Sequence, residues 1–111
     1  ILFGEGEERR DHIHIDDVAR LVIRIIKRQS HGALNAATGV VTSFRCIAEQ
    51  IAKMSGGKVA VKGSPRKSSM PHNGYRAFDI TACRSAFPDY RFTDLTDGLI
   101  RTRESETKLS G

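Results

Sequence analysis

The chain has 111 residues, 39% of them apolar and 28% charged, with no tryptophan and a formal net charge of +5. That length suits one small domain with a core, and that composition belongs to a folded, soluble chain rather than a disordered one. No apolar run approaches the length needed to cross a bilayer and no signal peptide opens the chain, so a cytoplasmic location is expected.

The basic residues are scattered and interleaved with Glu5, Glu7, Glu8, Asp16 and Asp17. No Lys/Arg run with interleaved aromatics appears, which makes nucleic acid an unlikely partner, while small anions such as phosphates suit the same charge. Cys46 and Cys83 have the spacing of neither a zinc knuckle nor a redox pair, and read as buried free thiols.

In chain order, "ILF" reads as the end of a strand, although most domains begin with loose polar residues, so the chain is expected to be a piece of something longer. "GEGEE" (4–8) supplies a glycine turn. "HIHI" (12–15) alternates, with Ile13 and Ile15 facing one way and His12 and His14 the other, as a half-buried strand does. Asp16 is then placed as the N-cap of a helix and Asp17 in its first turn, where the macrodipole favours negative charge. Val18, Leu21, Val22, Ile25 and Ile26 recur at helical spacing, with Lys27 and Arg28 at the end.

"GALNAATG" (32–39) reads as a strand of small residues ending in a turn. Thr42 or Ser43 caps a second helix, whose inner face carries Phe44, Ile47, Ala48, Ile51 and Ala52 and which Gly56 and Gly57 stop. "KVAVKG" (58–63) reads as a further strand, and residues 64–75 as a polar surface loop with two prolines. Asp79 opens a short helix on Ile80, Cys83 and Phe87. Asp94 and Asp97 stand at capping spacing for a last helix, with 104–111 as a flexible tail. The alternation predicts an α/β chain of short strands and about four helices.

Three stretches resemble one family. "GEGEERRDHIHIDDVARLV" is similar to the block G-x-G-x-x-x-R-D-[FY]-[IV]-H-V-x-D-[VL]-A in the C-terminal part of extended short-chain dehydrogenase/reductases, the NAD-dependent nucleotide-sugar epimerases and dehydratases. "GALNAATG" resembles that family's G-x-[YF]-N-[IV]-[GA]-[ST]-G strand. "RAFDITACRSAFPDYRFTDLTDGLIRT" resembles the family's ending. The resemblance spans residues 1–103 and implies the fold of a C-terminal, substrate-binding portion of a Rossmann-type enzyme. It also implies NAD as cofactor of the complete enzyme. The family's glycine-rich NAD turn and its tyrosine with a lysine four residues later are not in this sequence. The residues four after Tyr75 and Tyr90 are Asp79 and Asp94. Neither a bound cofactor nor turnover is therefore expected of this chain alone, and it contributes no catalytic residue.

The resemblance also implies site residues. Arg10 matches the family arginine that contacts the diphosphate of a nucleotide-sugar, a task suited to a planar guanidinium that binds phosphate oxygens in pairs; a salt bridge to Asp11 or another acid is the plain alternative. A second arginine for the same diphosphate is expected from the loop, where Arg66 and Arg76 qualify ahead of Lys67 and His72. His14 matches a family histidine expected to hold the strand-to-helix corner by hydrogen bonds. A zinc site on His12, His14 and Asp16 or Asp17 lacks a third neutral ligand, and no metal is expected. Asn35 and Thr38 are expected to fix backbone, Asp79 to cap, and Arg84 to lie along a helix surface. Two other readings stand beside the enzyme: a stand-alone basic binding module for nucleic acid or an acidic partner, and a self-associating chain forming a homodimer through an exposed apolar face.

Overall fold

The computed structural model describes residues 1–110; Gly111, the last residue of the predicted tail, lies outside the described residues. In chain order the elements are β1 (Leu2–Phe3), β2 (Arg9–Asp11), α1 (Ile15–Arg28), β3 (Val41–Ser43), α2 (Phe44–Met54) and β4 (Gly63–Ser64). A short 3-10 turn (Pro71–Gly74), β5 (Tyr75–Arg76), α3 (Thr81–Ala86) and α4 (Leu95–Ser110) follow. These elements fall into two compact units that interleave in sequence, one of Ile1–Asp11 with Val40–Ala77, the other of His12–Gly39 with Phe78–Gly111.

The first unit holds every strand. β2 is central in a three-stranded sheet, antiparallel to β3 and parallel to β5, with Arg10 opposite both Thr42 and Arg76. β1 pairs in parallel with β4, Leu2 opposite Gly63, and the Ser64 hydroxyl donates to the Leu2 carbonyl at 2.7 Å. Gly4 and Gly6 make the intervening turn at φ +57° and +73°, a conformation open to glycine at little cost. Ser43, one of the two residues offered for the cap, caps α2 by accepting from the Cys46 N–H at 3.1 Å. This unit has almost no apolar interior: Phe44 and Ile51, predicted for the inner face of α2, stay 40% and 43% exposed. Its buried residues are Gly6, Gly74 and a charged one, Glu8.

The second unit has a small apolar core. Leu21 of α1 meets Cys83 and Phe87, with Ile25, Leu34, Ala86, Tyr90 and Phe92 packed around them. The Asp94 carboxylate accepts from the Asp97 N–H at 2.8 Å at the head of α4, and Asp79 accepts from Thr81 N–H at 2.9 Å at the head of α3. α4 continues through Ser110, beyond the helix end expected near residue 103. From Arg101 onward every described residue is exposed.

Four local expectations are corrected. The strand placed on residues 12–15 lies instead at Arg9–Asp11, because those are the residues that β3 and β5 flank. The N-cap of α1 is His14 rather than Asp16: its Nδ1 accepts from the Asp16 N–H at 3.1 Å, doing with an imidazole what a side-chain oxygen does at most caps. The strand expected at 32–39 forms no ladder, since strand geometry persists only where a neighbour takes its backbone hydrogen bonds. The strand expected at 58–63 starts at Gly63, with Lys62 reduced to accepting from Leu2 N–H at 2.8 Å. Of the two thiols, Cys83 is buried and Cys46 only half-buried.

Candidate functional site

The candidate site forms around Glu8 in the first unit. Glu8 immediately precedes β2, and the two-residue period of an extended chain sends Glu8 and Arg10 to the same face. Arg10 donates to Glu8 Oε2 at 2.8 Å, to the Arg9 carbonyl at 2.9 Å and to the Pro71 carbonyl at 3.3 Å. From the loop after β4, Arg66 donates to the other oxygen, Oε1, at 2.6 Å, and to the Phe3 carbonyl at 3.2 Å. One carboxylate thus holds two guanidinium groups, and all three side chains are 80% or more buried. Arg66 Nε is buried without a hydrogen-bond partner, leaving one strongly donating N–H unsatisfied.

Glu7 adds a longer contact to Arg66, 3.4 Å, from the rim. A hydrogen bond from its own backbone N–H holds its carboxyl below the ordinary carboxylate value. Against a smaller burial penalty, the Glu5 N–H and the Arg66 charge act the same way. Arg76 is the register partner of Arg10 on β5, yet its guanidinium lies against the His72 ring, 2.9 Å from the nearer nitrogen. Arg9 stacks over Tyr75 with 4.9 Å from its guanidinium carbon to the ring centre. Beside the Glu8 cluster opens a cleft of about 950 Å³, walled by Leu2, Phe3, Phe44 and Pro65, with Arg66 and Lys67 among its lining residues. Such an arrangement suits a ligand with an anionic end and an apolar or aromatic body.

Of the residues singled out from sequence, Arg10 and Arg66 are brought together on one carboxylate and Arg76 onto the adjoining strand. Lys67 is exposed at the cleft, and His72 serves Arg76. The salt bridge from Arg10 to an acid, the plain alternative to phosphate binding, is present with Glu8 as the acid, and only its sharing with Arg66 was not foreseen. The signal for Glu8 was the i, i+2 spacing to Arg10 next to a strand.

Asp17 lies in the first turn of α1 as expected, and it is completely buried in the second unit. Thr93 donates to it twice, through N–H at 2.6 Å and hydroxyl at 2.8 Å, Arg20 pairs with it, and the Tyr90 hydroxyl donates to its backbone carbonyl. Burial pushes its carboxyl up, but the bonds from Thr93 and Arg20 outweigh this and leave it below the ordinary value. Asn35 donates to the Asp79 carbonyl at 2.9 Å, fixing backbone as expected, and Arg84 lies exposed on α3. With His14 spent on capping and residues 12–14 outside any strand, the paired-imidazole geometry for zinc does not form. No group of three or more metal-ligating side chains gathers among the described residues.

A dinucleotide seat needs a glycine turn that opens a helix. Gly4 and Gly6 lead from β1 into β2, and Gly56 and Gly57 follow α2. These residues do not fit the pyrophosphate of NAD. No described helix is long and apolar enough to cross a membrane.

The sequence profile described as the NAD dependent epimerase/dehydratase family matches residues 1–37. An ADP-L-glycero-D-manno-heptose-6-epimerase of Alkalilimnicola ehrlichii is 25% identical over 99 residues, covering 87% of this chain and 31% of that protein. Among solved structures, the enzyme WbmF of Bordetella bronchiseptica in complex with NADH aligns with a TM-score of 0.79 at 24% identity. The alignment covers 99% of this chain and 33% of that one. A UDP-glucuronic acid 4-epimerase from Bacillus cereus, in complex with UDP-glucuronic acid and NAD, gives 0.72 at 24% identity over 88% of this chain and 32% of its own. A UDP-N-acetylglucosamine 4-epimerase from Methanobrevibacter ruminantium, in complex with UDP-N-acetylmuramic acid, gives 0.71 at 18% identity, with 87% and 30% covered. The fold is that of part of an epimerase, α/β with short strands and four helices. The chain is similar to members of the NAD-dependent epimerase/dehydratase family and spans about a third of the length of a curated relative it matches.

Proposed function

We propose, from this kinship, that the chain is the C-terminal, substrate-side portion of an NAD-dependent nucleotide-sugar epimerase or dehydratase, and that it grips the diphosphate of a nucleotide-sugar. The observation that carries the reading is the convergence of Arg10 and Arg66 on one buried carboxylate beside an apolar cleft. Glu8 keeps the two arginines splayed and oriented before a ligand arrives. Phosphate oxygens then take guanidinium N–H groups that Glu8 leaves over. The cleft receives the nucleoside. NAD and the proton-transferring tyrosine belong, on this reading, to parts of the enzyme other than these residues, and a cytoplasmic location goes with it.

Isothermal titration of the chain with UDP-, GDP- and dTDP-sugars tests the proposal. Binding is expected for one nucleotide class, weakened about tenfold or more by Arg10→Ala, the scale of a lost charge-assisted pair. Affinity untouched by that substitution overturns the assignment.

One observation favours the basic-module reading. Arg20, Arg24, Lys27 and Arg91 line a second cleft of about 370 Å³ beside Tyr90. Its cations are partly neutralised, Arg24 by Asp89 at 3.0 Å and Arg20 by Asp17. A salt-dependent mobility shift with generic RNA or DNA distinguishes this reading.

A further inference from the structure

Arg20, Arg24 and Lys27 follow one another along α1 at intervals of four and three residues, which stacks them on one face of the helix. Like charges so placed repel one another. Tyr90 gathers two of them nonetheless. Its hydroxyl donates to the Asp17 carbonyl and its ring packs edge-on against Phe92, 5.0 Å between centroids, so the ring is fixed. Over it stand the guanidinium carbons of Arg24 and Arg20, 5.2 Å and 6.0 Å from its centre. Buried Asp17 anchors Arg20, and exposed Lys27 and Arg91 complete the cationic wall of the cleft of about 370 Å³.

One carboxylate already sits in this cleft. Asp89 accepts from Arg24 at 3.0 Å while its side chain stays 76% exposed. The hydrogen bond from Arg24 acts first, then that from its own backbone N–H and the charges of Arg24 and Arg91. Against a smaller burial penalty they hold the Asp89 carboxyl below the ordinary carboxylate value. The cleft thus favours an anion at this spot, and so exposed a carboxylate gives up its partner at little cost. Apolar chain laid over the cleft would strip water from four cations facing one surface carboxylate, whereas a ligand bringing several negative charges keeps them paired. Guanidinium forks match phosphate oxygens best. A nucleic-acid strand finds no stacking platform here, because guanidinium groups already stand over the ring, and the cleft is at the small end for ligand sites.

We propose that this cleft binds an oligophosphate, two or more linked phosphate groups, held by Arg20, Arg24, Lys27 and Arg91, with Asp89 swinging aside. This does not rest on the nucleotide-sugar reading, since the cleft uses none of that site's residues.

Amide NMR of the full chain, titrated with inorganic tripolyphosphate at constant ionic strength, tests it. Expected is a saturable movement of the amides of residues 20–27 and 89–91, and only these are read, which separates the cleft from the Glu8 site. Arg24→Ala raises the midpoint about tenfold or more, the scale of a lost charge-assisted pair. Asp89→Asn lowers it several-fold, because the ligand no longer competes with a carboxylate. A nucleoside triphosphate run alongside tells two sources apart: equal midpoints mean that the phosphates alone are read, and a tighter nucleotide means that its nucleoside adds contacts. The same spectra show that each variant is folded; if Arg24→Ala is not, Lys27→Ala, removing a side chain already exposed, takes its place. Amides that stay still, a midpoint indifferent to loss of the cation, no tightening with Asp89→Asn, or tighter binding of single-stranded RNA or of a glutamate-rich peptide overturns the proposal.

Discussion

The carboxylate of Asp17 and the backbone N–H of Thr93, 76 positions apart, meet at 2.6 Å inside the second unit. This contact ties the first turn of α1 to the segment leading into α4. Replacing Asp17 by Asn keeps the volume but withdraws acceptor capacity and charge from Thr93 and Arg20. A loss of roughly 1–3 kcal/mol is expected, the cost of buried donors left without partners. Urea unfolding of wild type and variant measures it.

The same carboxyl has a pH signature. Its folded value lies below the ordinary carboxylate value, near 3.9 in an unfolded chain. Its contribution is therefore complete above the unfolded value and disappears as pH falls through the folded one. Stability of the wild type is expected to fall more steeply than that of Asp17→Asn on acidification below about pH 5, the upper edge of that window. Parallel acid limbs for the two proteins contradict it.

Glu8 is expected to act oppositely on stability and on anion binding. Glu8→Gln leaves Arg10 and Arg66 close together without their shared counter-charge. It lowers stability by about 1–3 kcal/mol, discounted from a fully buried pair for residual solvent access. Inorganic pyrophosphate should then raise the melting temperature of the variant more than that of the wild type. Equal shifts in a thermal scan would place the anion elsewhere.

The two thiols should react in order. Burial pushes the Cys83 thiol up, and its 2% exposure shields it, whereas Cys46 is half-buried. Mass spectrometry after alkylation should find Cys46 modified in the folded chain and Cys83 modified at a rate set by unfolding.

Gly6 sits at φ +73°, and a Cβ there would lie 2.9 Å from the backbone nitrogen of Arg45, whose N–H donates to the Gly6 carbonyl. Gly6→Ala is expected to cost roughly 2 kcal/mol, joining left-handed strain to a clash with backbone that cannot swing aside. A denaturation midpoint equal to that of the wild type contradicts this.

The helices were legible in the sequence because their signals are local. Ser43 and Asp94 are caps that act within one turn, and the period of α1 is set by its own residues. Strands were not, because a strand exists only where a neighbour completes it. "HIHI" alternates as a strand should, but the pairing falls on Arg9–Asp11, and residues 32–39, read as a strand of small residues, form no ladder. The site was half legible: the motif points to Arg10, and Arg66 was one of two loop arginines offered. That they share Glu8 is a contact across 58 positions for Arg66, which no spacing rule reaches. Asp17 was placed correctly in the first turn of α1, but its burial was hidden for the same reason, since its partner Thr93 is set by tertiary packing. His14 usurped the cap because its ring nitrogen occupies the place of a carboxylate oxygen.

The central claim, that Arg10 and Arg66 together hold a diphosphate, is tested most directly by phosphorus NMR of a nucleotide-sugar titrated with the chain and with Arg10→Ala, Arg66→Ala and the double variant. The account predicts that both phosphorus resonances move on adding wild type and that either single variant removes most of the movement. The double variant should add little, as for two groups acting on one ligand. Resonances that stay still with the wild type, or move equally with all four proteins, would contradict it.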